Sequence, residues 1–170
     1  MKYRAIFFDF GGTLMSMDRD AVACEYVARA RQRGAALDLA AARAMFAALD
    51  DEIPSRARQT PPLSLNARVG EKFWKTLFAD GWSRLELARD AKAVSHLYRK
   101  FRHGEFNRLF DDTRPALAAL KARGLMLGLL SNFTRDCQTA LETLGIADYF
   151  AHIIVSAIVR VEKPERAIFD

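Results

Sequence analysis

The sequence predicts an α/β fold in which a parallel sheet is interrupted, directly after its first strand, by a block of helices. Three observations predict it. A short apolar run near the N-terminus stops at a glycine pair, four successive stretches have helical periodicity, and beyond about residue 110 helices alternate with buried strands.

Taken in order, Arg4-Ala5-Ile6-Phe7-Phe8-Asp9-Phe10 is nearly continuous in apolar residues and is ended by Gly11-Gly12, which suits a strand buried on both faces. Helical periodicity follows over about 18–33, 38–52, 65–80 and 86–102. In the third stretch Val69, Phe73, Leu77 and Phe78 share one side and Lys72 and Lys75 lie away from it. Thr60-Pro61-Pro62 punctuates the block, and Asp80-Gly81-Trp82 is expected to end the third helix with a left-handed glycine cap. Asp18 and Asp20 open the first helix, where a carboxylate favours the N-terminus. A helix over 113–123 then precedes Leu125-Met126-Leu127-Gly128-Leu129-Leu130, a second buried strand closed by Ser131-Asn132. Thr134 is expected to cap a helix reaching Leu144-Gly145, and His152-Ile153-Ile154-Val155 reads as a third strand. The expected organisation is an α/β core over 1–14 and 109–170, lacking its C-terminal part, with a helical cap over 15–108.

Composition narrows the function classes. At 170 residues, 51% hydrophobic and 28% charged, the chain is that of a compact protein with one core and an insertion. The net charge of +5 lies wholly within 15–108, where 17 Lys and Arg face 12 Asp and Glu. Most of these are arginines spread along helices, without a dense basic run or interleaved aromatics, so no nucleic-acid partner is expected. Cys24 and Cys137 give neither a disulfide framework nor a zinc spacing and read as reduced core thiols. His96, His103 and His152 are isolated, and Trp74, Trp82, Phe73, Phe78, Phe101 and Phe106 have packing spacings. Asp9 and Gly11-Gly12 cut the first apolar run too early for a signal peptide, and no apolar stretch is long enough to cross a bilayer, so a cytoplasmic protein is expected, without a membrane partner.

Ligands of open parallel sheets bind beyond the carboxyl ends of the strands, which directs attention to Asp9, Ser131 and the Lys163-Pro164 pair after the third strand. Alone, each has a structural explanation: a turn former, a helix start, a surface lysine. Together they are a carboxylate, a hydroxyl and an ammonium at equivalent topological positions.

Phe7-Phe8-Asp9-Phe10-Gly11-Gly12-Thr13-Leu14, Leu129-Leu130-Ser131-Asn132 and Glu162-Lys163-Pro164 with Ile168-Phe169 behind it make the chain resemble the haloacid dehalogenase-like hydrolase superfamily, over nearly its whole length. Asp112-Thr113-Arg114-Pro115 and Asp148-Tyr149-Phe150 support the match, and the insertion lies where the subgroup with a helical cap carries it. The resemblance implies a Rossmann-like core and a hydrolase, in the first place a phosphatase of a small phosphorylated metabolite. Asp9 would be the nucleophile forming an aspartyl-phosphate, and Lys163 a fixed cation beside it. Gly12, Thr13, Ser131, Asn132 and Lys163 would hold the phosphoryl group or its loop, helped by the positive end of the helix after Ser131. Mg²⁺ would be the cofactor, bound by Asp9 and the Gly11 backbone carbonyl.

Two departures from the family pattern follow. Gly11 stands where the phosphatases usually carry a second acid, which contributes roughly 10²- to 10⁴-fold in rate by proton transfer. The acidic fourth motif that would complete the Mg²⁺ site is not in the sequence, and the first strand is expected to leave an apolar edge that invites pairing with a second copy, a homodimer. Two alternatives stay open: metal-free 2-haloacid dehalogenase chemistry, which uses the same nucleophile without the second acid, and a non-catalytic phosphate-binding protein on the same fold.

Overall fold

The structure is a computed structural model describing residues 3–170; Met1 and Lys2, at the start of the expected first core segment, lie outside the described residues. In chain order its elements are β1 (Ala5–Phe8), β2 (Met15–Met17), α1 (Arg19–Gln32), α2 (Leu39–Arg58), α3 (Ala67–Arg84), α4 (Ala91–Arg102), β3 (Asn107–Leu109), α5 (Thr113–Ala122), β4 (Met126–Ser131), α6 (Cys137–Thr143), β5 (His152–Val155) and α7 (Ser156–Val159). They form two compact units. One runs to Met17 and resumes at His103; the other is Asp18–Arg102.

In the first unit β1, β4 and β5 form a parallel sheet in the order β1-β4-β5. Parallel neighbours need crossovers, and α5 and α6 supply helices on the approaches to β4 and β5. Phe10, Leu117, Leu127, Leu129 and Leu141 are fully or almost fully buried around this sheet. Burying a side chain of this size stabilises by about 1.5–3 kcal/mol. Among the described residues β1 lies at the sheet edge, paired with β4 alone, and Phe7 there is 47% exposed. Its ring lies over Gly128 of β4, where an added Cβ would run into Phe7 Cε1.

The antiparallel pair β2 and β3, with Met15 opposite Leu109, belongs to this unit rather than to the helical block. Three-residue strands separated by the whole insertion carry no turn signature, so periodicity does not reveal them.

The second unit is helical, with Tyr26, Phe46, Leu49, Leu77, Phe78 and Leu97 buried in its interior. Asp18 caps α1, its Oδ1 accepting from the Ala21 amide at 2.9 Å. Three boundaries differ from expectation. Helix α2 continues through Pro54 to Arg58, its last turn tied down by Arg56, which donates to Glu52 at 2.6 Å and to Asp80 of α3 at 2.5 Å. Helix α3 runs through Gly81, which caps nothing; a Cβ there would lie 2.6 Å from the Tyr26 hydroxyl and 3.0 Å from Met45 Sδ, so the glycine permits close helix packing. Helix α4 begins at Ala91 because Asp90 accepts from the Lys92 and Ala93 amides at 2.9 and 3.0 Å.

His96 is not isolated: it meets Glu25 at 2.9 Å, beside Arg29 and Lys100 on the same carboxylate. Desolvation works against ionisation of Glu25, but Lys100, and after it the contact with His96, hold its pKa below the usual range. Cys24 is exposed, contrary to its reading as a core thiol, whereas Cys137 is buried. No helix among the described residues is long and apolar enough to cross a membrane.

Candidate active site

The strand register sets the site. Phe8 pairs with Leu129, so Asp9, the next residue of the chain, comes level with Leu130, and Ser131 one step farther pairs with Val155 of β5. Asp9 Oδ1 accepts the Phe10 amide at 2.7 Å and meets the Lys163 ammonium at 2.9 Å. The same ammonium donates to the Leu130 carbonyl at 3.0 Å. A flexible lysine is thereby fixed by two oxygens from two adjacent strands.

Asn132 faces the backbone of Lys163. Its Nδ2 donates to the Lys163 carbonyl at 2.9 Å, and the Lys163 amide donates to Asn132 Oδ1 at 2.8 Å. Ser131 is 2% exposed, buried at the end of β4. Gly11, Gly12 and Thr13 lie exposed on the loop after β1. Gly12 has φ +76°, a left-handed conformation that a side chain would strain, and its amide donates to the Met15 carbonyl at 2.8 Å. The Leu14 amide donates to the Phe10 carbonyl at 2.9 Å, closing the loop.

Thr113 is a positioning residue to which the sequence reading gave no role. Its buried hydroxyl donates to the Leu14 carbonyl at 2.7 Å, and the Phe110 amide reaches the same oxygen at 3.2 Å. An Asp-Thr pair opening a helix reads as a cap, which hides a hydroxyl aimed at another segment.

The helix after Ser131 differs from expectation. Thr134 does not cap it through its side chain: α6 begins at Cys137, whose amide donates to the Thr134 carbonyl, and the Thr134 hydroxyl lies 3.5 Å from Asp136. The first turn of α6 therefore begins six residues beyond Ser131. Burial, and secondarily the Asp9 charge, push the Cys137 thiol up to about 12.

Asp9 and Lys163 border a cleft of about 340 Å³ whose other walls, including Phe7, Leu130, Ile154 and Ile168, are apolar. Both charged groups keep contact with solvent there, Lys163 with 24% and Asp9 with 41% of its side chain exposed. As a metal site the constellation is incomplete. Asp9 is the one carboxylate at this cleft, and no group of three or more His, Cys, Asp or Glu among the described residues could hold a metal ion.

Comparison with known proteins gives the family. The haloacid dehalogenase-like hydrolase family matches residues 3–170. A haloacid dehalogenase-like hydrolase domain-containing protein 3 from Danio rerio is 28% identical over 98% of this chain and 69% of its own length. A phosphoglycolate phosphatase from Yersinia pseudotuberculosis is 38% identical over 48% of this chain and 35% of its own. The structure of an L-2-haloacid dehalogenase from Xanthobacter autotrophicus shares the fold, with a TM-score of 0.63 at 18% identity, over 98% of this chain and 62% of that one. The chain belongs to the haloacid dehalogenase-like hydrolases.

Proposed function

We propose that this hydrolase cleaves the phosphate ester of a small metabolite, with Asp9 as nucleophile. The observation that carries the reading is the Asp9 carboxylate held 2.9 Å from the Lys163 ammonium at the ends of adjacent strands. With Oδ1 engaged by Lys163 and the Phe10 amide, Oδ2 is the oxygen that attacks phosphorus. The P–O bond to the substrate alcohol breaks as the aspartyl-phosphate forms, and water then cleaves that intermediate, releasing phosphate and restoring Asp9. Lys163 offsets the charge that gathers as two anions approach. Gly11 offers no acid to the departing oxygen, so substrates with good leaving groups are favoured. Ser131, Gly12 and Thr13 are the residues taken to hold the phosphoryl group, with Asn132 engaged on the backbone of Lys163 beside them. The helical unit, inserted after the strand that leads to Asp9, is read as the substrate-selecting cap, and a cytoplasmic setting fits a metabolite substrate.

For Mg²⁺ this reading takes Asp9 and the Gly11 carbonyl as partial ligands. They fall short of the near-octahedral shell the ion requires, so no step is routed through it. Gly11 also favours a second reading, metal-free 2-haloacid dehalogenase chemistry. The test is phosphate release from p-nitrophenyl phosphate with and without Mg²⁺, and chloride release from 2-chloropropionate, beside Asp9→Asn. Phosphate release lost in the variant supports the first reading, and chloride release without metal selects the second. Phosphate binding with turnover of neither substrate overturns both.

A further inference from the structure

We propose that Asn132 is a positioning residue that acts through Lys163 rather than on the substrate; the inference rests on the reading of Asp9 and Lys163 as a reacting pair. Lys163 follows β5 by way of the four-residue helix α7 and the left-handed Arg160, on a segment with no strand partner of its own. What a neighbouring strand would supply, an acceptor for the Lys163 amide and a donor for its carbonyl, comes instead from the two ends of one carboxamide at 2.8 and 2.9 Å. Asn and Gln are the side chains that carry both a carbonyl and an N–H₂ in one plane, and Asn is the shorter of the two.

The consequence is geometric. An ammonium on a four-carbon stem has many rotamers. To sit 2.9 Å from Asp9 and 3.0 Å from the Leu130 carbonyl, its Cα must be fixed as well as its tip. Leu130 and Asn132 lie two residues apart at the end of β4, so one short segment grips Lys163 at both ends. With both carboxamide atoms engaged on Lys163, the side chain has less to offer a phosphoryl oxygen.

The experiment is steady-state kinetics on p-nitrophenyl phosphate for the protein, Asn132→Ala, Lys163→Met and the double variant, with amide hydrogen exchange at Lys163. Displacing a reacting group by about 1 Å can cost up to 10²-fold, so Asn132→Ala is expected to lower kcat by about 10- to 100-fold with KM within about twofold. In the Lys163→Met background the same change should cost less than about twofold, because the group through which it acts has gone. Exchange at the Lys163 amide should accelerate in Asn132→Ala. A raised KM with unchanged kcat, an equal loss in both backgrounds, or unaltered exchange would each overturn the proposal while leaving the Asp9 reading intact. Absence of turnover in the unmodified protein would instead sink the Asp9 reading, and this inference with it.

Discussion

In the α/β unit Thr113, Asn132, Lys163, Arg114 and Lys121 direct polar atoms at backbone groups, whereas in the helical unit Arg19, Arg43, Arg56 and Arg84 direct theirs at carboxylates on neighbouring helices. A bond to backbone fixes where a chain segment runs, and the segments fixed in this way include the loop after β1 and the stretch bearing Lys163. An exposed Arg–carboxylate pair does less, because water competes for both partners and two long side chains must be ordered. The surplus of positive charge in the helical unit thus lies on a surface laced with ion pairs, while the less charged unit carries the candidate chemistry. Charge density is a poor guide to the site here; backbone-directed side chains are a better one.

The thiols separate the two units most widely. Cys24 lies exposed on α1 of the helical unit, and Cys137 is buried with its pKa raised to about 12. At pH 8.5 an alkylating reagent should modify Cys24 at least about 10³-fold faster than Cys137, and both at similar rates in denaturant. The same shift has a stability consequence. The folded state keeps Cys137 protonated while the unfolded chain ionises near its ordinary pKa, so stability should decline as pH rises from about 9 toward 12. Equal labelling of both thiols in the native protein would erase the contrast.

Gly81→Ala tests whether the helical unit depends on its interior rather than on its ion pairs. The new methyl meets the buried Tyr26 hydroxyl, itself donating to the Phe78 carbonyl at 2.8 Å, and should cost about 1–3 kcal/mol in denaturant melts. Gly128→Ala in the α/β unit is the matched control. There the obstacle is the half-exposed Phe7 ring, which can swing aside, and the change should stay within about 0.5 kcal/mol.

Thr113→Val sharpens the comparison from the other side. It keeps the shape and removes the donor to the Leu14 carbonyl, so a loss of about 1 kcal/mol is expected, together with a fall in kcat as the loop after Asp9 loosens. A stability loss without a kinetic effect would show that this bond holds the fold and not the site. The smallest effect is expected for Arg43→Ala, which breaks an exposed pair with Asp20 and should change stability by less than about 0.5 kcal/mol.

Much of this is legible in the sequence. The runs Met126–Leu130 and Ile153–Val155 carry no charged residue, and both strands sit where the sequence reading puts them; β4 is buried from Leu127 to Ser131, as a strand flanked on both sides is. Asp9, Ser131 and Lys163 stood out because each polar residue interrupts or follows such a run. Gly81 departs from the expected cap because a glycine near a helix end fits either a left-handed cap or a close contact, and periodicity does not distinguish them. Helix α2 passes its expected end near residue 52 because Arg56 ties the turn after Pro54 to Glu52 and to Asp80 of α3.

The sequence by itself determined the three strands of the parallel sheet and the presence of the longer helices, though not β2 and β3, and that a carboxylate ends the first strand, because burial periodicity and turn chemistry are local properties of a chain. Only the tertiary structure decided that Lys163 reaches Asp9, that Asn132 grips the backbone of Lys163 and that Thr113 holds Leu14. Those contacts join residues distant in the chain, and they exist because one strand register sets the ends of β1 and β4 side by side, a relation no local pattern encodes.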